Sequence, residues 1–583
     1  MLARLWRADA WQRAWPDEAR EPFPRDATGS RIAVIGLVAC AMFVGLAARL
    51  VWLELHKHVR PELHFAELHP APPRPDISDR NGALLATSVA TSSIFAEPKK
   101  IIDPDEAAEL LSAVLPNIDT GELRASLASK KGFAWIARHV TPEQQAEVFR
   151  LGIPGVKFLP DNKRVYPNGT LAAHVLGATD LDGAGIAGIE KYIDGEGFAA
   201  LAASGMPINS EDLKPLALSI DLRVQHALRD ELENGLNRFK AKAAAGLVYD
   251  VTTGEVIALA SLPDFDPANP ADALKPDNIN RVTVGVYEMG STFKALTTAM
   301  ALDSGKVEIN STFDTSAREI RYGSQVIHEF HGTGGRLTVP EVFLHSSNIG
   351  AAKMALAVGV EGHQAFLRKM GVLDRLRTEL PESAAPIVPA HWGELNTMTI
   401  SFGHGLAVAP LQAVMAVGAL VNGGNLIKPT FLKRSVEDTA HEATPVVKPE
   451  TSEALRYIMR LNAVAGSARA ANVPGYFVGG KTGTAEKVFH GRYVHNRLFT
   501  TFMAITPSDK PRYLFLTVMD EPQGIPETHG HAEAAWNSGE VTGKVIERAM
   551  PLLTPPQAEA PVDPFPTMRR LHAWGIDNGA AKL

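Results

Sequence analysis

The sequence predicts a mixed α/β (α+β) fold of several domains behind a single N-terminal transmembrane helix. Three observations predict it. One uninterrupted apolar run lies near the N-terminus, and capped amphipathic helix signals alternate with strand-like runs and Gly turns further on. Near residue 215 the texture changes from a smaller mixed module to a larger α/β region. A chain of 583 residues is too long for one ordinary domain. Hydrophobic residues at 45% and charged residues at 21% exclude a disordered or fibrous chain. A net charge of -7 gives no bulk attraction for nucleic acid or an anionic membrane surface. The single Cys40 excludes an intrachain disulfide framework and a cysteine-based zinc cage.

Residues 1–31 are read as a cytoplasmic tail and residues 32–53 as the membrane span. From Ile32 to Ala48 every residue is apolar or Gly, and Arg49 is followed by Leu50, Val51, Trp52 and Leu53. At ~1.5 Å per residue the run reaches about 33 Å, enough for a ~30 Å hydrocarbon core. A buried core helix rarely runs this long without a polar face. A cleaved signal peptide is disfavoured because the run starts late and no small-residue cleavage site follows it. Arg13, Arg20, Arg25 and Arg31 precede the span, against Lys57 and Arg60 just after it, which puts the N-terminus in the cytoplasm. The bulk of the chain is then expected outside the inner membrane, in the periplasm.

Residues 54–75, ending in Pro-Pro-Arg-Pro, read as a linker. Residues 76–215 form the smaller module. Asp103 with Pro104 marks a helix start, and Thr141-Pro-Glu-Gln144 is a capping box. No cluster of chemical groups stands out there, only packing and punctuation. The larger region, 216–554, opens with a β-hairpin around Thr252-Thr-Gly254. Helices are signalled at 291–304, at 338–345 by the Thr338/Glu341 box, and at 410–421 before Gly423-Gly424. Strands are expected around 476–487, 498–505 and 513–519. The Pro- and Ala-rich segment 555–583 reads as a tail.

Three short motifs carry chemistry. Ser291-Thr-Phe-Lys294 puts a hydroxyl and an amine one helical turn apart. Such a Ser becomes a nucleophile only if the Lys is a neutral base, which burial or a second cation can achieve. The helix start also offers N–H groups to an oxyanion. Alone, this spacing describes many ordinary helix surfaces. Ser346-Ser347-Asn348 adds a second hydroxyl and an amide able to bond a peptide in both senses, although Ser and Asn are also ordinary helix caps. Lys481-Thr482-Gly483-Thr484 adds a second cation, a Gly that admits close backbone approach, and two hydroxyls suited to a carboxylate. Taken together and in this order, the three form the signature of the penicillin-recognising serine acyl-transferases.

With the span and the preceding module, the chain resembles the class B penicillin-binding proteins, of the division transpeptidase (FtsI) type. The resemblance covers nearly all of residues 30–550. In the first module it rests on Asp79-Arg-Asn-Gly82, Arg164-x-Tyr-Pro167, Ala173-His174 and Gly185-x-x-Gly-x-Glu190. In the second it continues through Ile220-Asp221, Thr253-Gly-Glu-Val256, Ser401-Phe-Gly-x-Gly405 and Asp520-Glu-Pro522. Two departures are Met289, where the family often has Pro, and Pro75, where a Gly is common. The resemblance implies a β-lactamase-like antiparallel sheet with flanking helices, on an elongated pedestal of the dimerisation type. It implies that Ser291 attacks the penultimate D-Ala carbonyl of a peptidoglycan stem peptide, with Lys294 as base. Ser346 and Lys481 would pass a proton to the leaving amine, and Asn348 would position the donor. Thr482 and Thr484 would hold its carboxylate, Gly483 lying between them, and the N–H groups of Ser291 and Thr484 would form the oxyanion hole. It further implies acylation by β-lactams, no cofactor, and as partners the glycosyltransferase FtsW and other division proteins.

Rival readings are weaker on stated grounds. An elongation-type class B transpeptidase is the nearest, set aside on the pedestal motifs. A D,D-carboxypeptidase or β-lactamase would pass the acyl group to water, but no Glu between Asn348 and Lys481 has an Asn four residues on. An inert penicillin sensor would not need all three motifs. Gly475-Tyr-Phe-Val-Gly-Gly-Lys481-Thr482 matches a P-loop literally, yet Gly483 and the β-like run after it deny the required helix. His328-Glu-Phe-His331 lacks the spacing and the third ligand of a metal site. His404 is read as structural or lining.

Overall fold

The computed structural model describes residues 36–49, 71–203, 213–323, 325–329, 334–489 and 492–556. It divides into two units, 1–68 and 69–583. In the first, residues 36–49 are helical and exposed, while 32–35 and 50–53 of the expected span lie outside the described residues, as do tail 1–31 and most of segments 54–75 and 555–583. No helix among the described residues is long and apolar enough to cross a membrane.

The second unit begins with a sheet built on the long strand β2 (Leu84–Ala96). It pairs antiparallel with β1 (Ile77–Ser78), β3 (Ala134–Val140) and β4 (Val156–Val165), and β1 pairs in parallel with β5 (Leu216–Ala217). Helices α1 (Pro104–Val114), α2 (Thr120–Leu127) and α3 (Pro142–Leu151) close a small core around Ile94, Leu111, Leu123, Ile136 and Val148. Asp103 caps α1 through the N–H groups of Asp105 and Glu106. The Thr141/Gln144 box forms at the start of α3.

Sequence reading finds no chemical cluster in this module; the structure assembles one. Glu190, on α4 (Gly188–Ile193), is fully buried and accepts from Arg74 Nε and Arg164 Nε, each at 2.7 Å. Arg74 also bonds Asp194 at 2.7 Å, and Arg164 donates to the Pro75 carbonyl at 2.9 Å. Ala71 and Arg74 are buried, so residues 71–75, expected in the linker, pack inside the pedestal. Arg74, Arg164, Glu190 and Asp194, far apart in sequence, thus form one interlocked knot of charge.

The larger region is a five-stranded antiparallel sheet. Its order is β10 (Gly479–Phe489), β11 (Arg492–Thr506), β12 (Tyr513–Asp520), β6 (Ala243–Asp250), β7 (Val256–Leu262). Both faces are covered, and the strands sort their side chains with period two. Ala244, Val248, Phe515 and Phe502 face the core shared with α5 (Leu222–Arg238) and α11 (Ser538–Leu553). Ala245, Leu247, Leu514 and Met503 face the core shared with α6 (Lys294–Asp303), α9 (Pro410–Val421) and α10 (Pro449–Ala465). Gly235 lets α5 approach α11, since a Cβ there would lie 2.6 Å from Val541 Cγ2. The two modules join through Asp79, whose carboxylate accepts from Asn81, Ala83 and Leu222 N–H groups and so caps the start of α5.

A charge buried with its partners becomes costly when one partner is lost, by about 3–5 kcal/mol. Glu190→Gln is expected to destabilise the pedestal by that amount, seen by calorimetry as a lowered thermal midpoint. An unchanged midpoint would show that the knot contributes no stability.

Candidate active site

The nucleophile candidate sits on a 3-10 turn, Gly290–Phe293, that runs into α6. The sequence predicts one helix over 291–304; the tighter first turn matters because i and i+3 side chains eclipse in a 3-10 helix. Lys294 Nζ consequently lies 3.1 Å from Ser291 Oγ. The turn is pressed against β10: a Cβ on Gly290 (φ +54) would meet Thr484 O at 2.8 Å. A Cβ on Gly483 would meet Met289 O at 2.6 Å. Two glycines therefore let the nucleophile's turn lie directly on the strand edge. Ser291 is second in the turn, where an N–H has no acceptor within the helix.

The second motif arrives between α7 (Val339–Leu344) and α8 (Asn348–Val358). Ser346 adopts a left-handed φ of +53, a strained position for a side chain with a Cβ. The bend points both its carbonyl and its hydroxyl at Lys294. Lys294 Nζ bonds the Ser346 carbonyl, lies 3.1 Å from Ser346 Oγ and bonds Asn348 Oδ1 at 2.8 Å. From the opposite side Lys481 Nζ reaches Ser346 Oγ at 3.0 Å and the Thr482 carbonyl at 3.1 Å. One hydroxyl thus bridges two amines.

Both lysines are 1% exposed. Burial, and then the neighbouring Lys481, hold the Lys294 amine well below the usual lysine range, against an opposing pull from Glu329. Burial brings Lys481 down to about 7. The Ser346 carbonyl and Asn348 Oδ1 only accept, so they take two N–H groups from Lys294. A neutral amine then has one lone pair left, available to the Ser291 O–H.

Thr482 Oγ1 pairs with Ser467 Oγ at 2.9 Å, and Thr484 Oγ1 accepts the Ala534 N–H at 3.1 Å. Each hydroxyl is oriented by a neighbour. On the rim, Glu288 Oε1 accepts from Gly405 N–H at 2.7 Å and from Tyr493 Oη at 3.0 Å, tying three segments together beside Ser291. The His404 ring packs near Phe402 and Tyr493, and burial lowers it below the usual histidine range.

All eight site residues expected from the sequence, Ser291, Lys294, Ser346, Asn348, Lys481, Thr482, Gly483 and Thr484, come together in one place. Sequence reasoning missed Ser467, Tyr493, Glu288 as a tie, and Glu329. Glu329 appeared only inside the discarded metal motif. The His328 side chain is exposed and its carbonyl accepts Asn348 Nδ2 at 3.1 Å, while His331 lies outside the described residues. Lys481 sits within a strand, not at the helix start a P-loop requires.

The comparisons agree with this architecture. The penicillin-binding protein dimerisation domain matches residues 69–195, and the penicillin binding protein transpeptidase domain matches residues 244–546. These are the two modules of a penicillin-binding transpeptidase. The probable peptidoglycan D,D-transpeptidase FtsI of Caulobacter vibrioides is 36% identical over 95% of this chain and 93% of its own length. The peptidoglycan D,D-transpeptidase FtsI of Escherichia coli K12 is 30% identical over 88% and 90%. The solved apo transpeptidase domain of Burkholderia pseudomallei penicillin-binding protein 3 aligns with TM-score 0.52 at 30% identity, covering 59% of this chain and 98% of that one. A peptidoglycan synthetase from Bifidobacterium adolescentis shares the fold with TM-score 0.66 over 85% of this chain and 98% of that one, at 23% identity. The chain belongs to the class B penicillin-binding proteins of the FtsI type, and its activity is that of a serine-type D,D-transpeptidase.

The two amines set opposite limbs of a pH profile. A lysine with a lowered pKa is charged below it and neutral above it. The rate of acylation by penicillin should rise with pH as Lys294 becomes neutral and fall near pH 7 as Lys481 loses its charge. In Lys481→Arg the falling limb should disappear and the rising limb remain, as measured by stopped-flow acylation. A falling limb retained in that variant would assign it to another group.

Proposed function

We propose that the chain crosslinks peptidoglycan stem peptides during septal wall synthesis through an acyl-enzyme on Ser291. The observation that carries this reading is the single Ser346 hydroxyl held at 3.1 and 3.0 Å between two buried amines, with Ser291 on the first of them. Neutral Lys294 takes the Ser291 proton as its oxygen attacks the penultimate D-Ala carbonyl. The developing oxyanion lies against the N–H groups of Ser291 and Thr484, a reading supported by the close approach of the Gly290 backbone to Thr484. The proton travels through Ser346, steered by Lys481, to the nitrogen of the terminal D-Ala, which leaves. Asn348 holds the donor peptide, and Thr482 and Thr484 hold its carboxylate. An amine of a neighbouring stem then takes the acyl group. β-Lactams acylate the same Ser and are released slowly, because the site is arranged for an amine and not for water.

The anchor and setting belong to the same proposal. Residues 32–53 cross the inner membrane once with the N-terminus cytoplasmic, supported by the apolar run and the helix over 36–49. The pedestal (76–215) and transpeptidase (216–554) domains stand in the periplasm, where the substrate is. The pedestal offers its surface to a glycosyltransferase of the FtsW type and to other division proteins.

Labelled penicillin tests the chemistry. The wild type should form a long-lived adduct and Ser291→Ala none, since removing the nucleophile removes the bond itself. Labelling of the variant would dismiss Ser291, and rapid loss of the wild-type adduct would indicate a hydrolase. Depletion in the cell should give filaments; rounding would move the role to elongation.

A further inference from the structure

The Ser346 turn is strained, yet the Lys294–Ser346–Lys481 relay needs it held to within a fraction of an ångström. The structure shows a brace. Strands β8 (Glu319–Tyr322) and β9 (Gln325–His328) form a largely exposed hairpin closed at its base by Glu329 N–H on the Arg318 carbonyl. Directly after β9, the Glu329 carboxylate turns in under the start of α8. Its Oε2 accepts from Ser347 Oγ at 2.6 Å and from Ile349 N–H at 3.4 Å, and its Oε1 from Asn348 N–H at 2.7 Å. Ser347 Oγ in turn accepts the Gly350 N–H at 2.9 Å. The residues so gripped, 347 and 348, directly follow Ser346, and Asn348 is itself a Lys294 partner.

We propose that Glu329 is a positioning residue for acyl transfer: by fixing Ser347 and the N–H of Asn348 it holds the Ser346 carbonyl and hydroxyl and the Asn348 amide on Lys294. Asn348 is gripped from two sides, since its Nδ2 also donates to the neighbouring His328 carbonyl. This leaves Asn348 Oδ1 facing Lys294, where it takes one of the amine's N–H groups and fixes the direction of the others. Glu329 touches no reacting atom, and it acts through the second motif. It also contributes a negative charge beside the relay, so its removal has two separable effects: looser geometry, and a base that stays neutral to lower pH. Among the described residues, the other charged or titratable groups coupled to Lys294 are Lys481 from β10 and His404 from the loop after Ser401.

The inference rests on the Ser291 reading, and its test keeps the two apart. Stopped-flow acylation by a fluorescent penicillin is measured against pH for the full chain, Glu329→Gln and Glu329→Asp, with thermal melts alongside. Glu329→Gln should acylate about 10²-fold more slowly, the scale of a small misplacement near reacting atoms. Its rising limb should move to lower pH, because the charge favouring the Lys294 ammonium is gone. Glu329→Asp, which keeps the charge, should leave the limb at the wild-type pH and recover part of the rate. A wild-type rate in Glu329→Gln, or a slowed rate with the limb unmoved, overturns the proposal while penicillin labelling still supports Ser291. Labelling that persists in Ser291→Ala removes the underlying reading instead.

Discussion

Two lysine amines buried around one serine hydroxyl are the constraint on which the rest of the structure depends. Water would protonate both; protein surroundings that are dry and already positive keep one neutral. For Lys481, a shift from 10.5 to about 7 corresponds to about 5 kcal/mol that folding must offset. The strained Ser346 backbone adds about 1–3 kcal/mol. Such a site survives only where the surroundings over-determine it. The two-faced sheet core and the braced turn before α8 are those surroundings.

Close approach of backbones does the assembling. Gly290 and Gly483 remove the Cβ atoms that would separate the nucleophile's turn from β10, and Gly403 packs as tightly on Gly290 from the other side. Met289, a departure from the motif expected by resemblance, keeps the arrangement because its buried carbonyl receives Thr292 and Thr501 hydroxyls. The departure leaves the contact in place because the contact belongs to the main chain.

The legible parts of this protein were those encoded locally. Pro410–Val421 is bounded by its own signals, as are the Thr141 and Thr338 caps, and each appears where the sequence places it. The strand ends were less legible: the sequence marks a hairpin around Thr252-Thr-Gly254, but not that its first strand, β6, begins as far back as Ala243. Alternation is hidden there because both faces are apolar, and Ala243, Ala244 and Ala245 read as helix formers when neighbours are ignored. Helices α5, α10 and α11 went unremarked for a related reason, their significance lying in which sheet face they cover. The eight motif residues were legible because they touch the chemistry. Glu190 was visible as a motif residue but its role was not, since nothing near it in sequence says that Arg74 lies 2.7 Å away. Glu329 and Ser467 act through a neighbour across the fold, a relation that single-sequence spacing does not carry.

The relay's symmetry bears on why the acyl group passes to an amine. The leaving D-Ala nitrogen and the incoming stem amine are the same functional group approaching the same carbonyl. The group that gives a proton to the first can therefore take one from the second by the reverse path. Ser346, equidistant from the two amines to within 0.1 Å, suits proton traffic in either direction. A hydrolase instead needs a base set to activate water on the acyl-enzyme. On the proposed mechanism one hydroxyl and two amines serve both halves of the reaction. The same dryness that keeps Lys294 neutral leaves a penicillin adduct waiting for an amine that does not come.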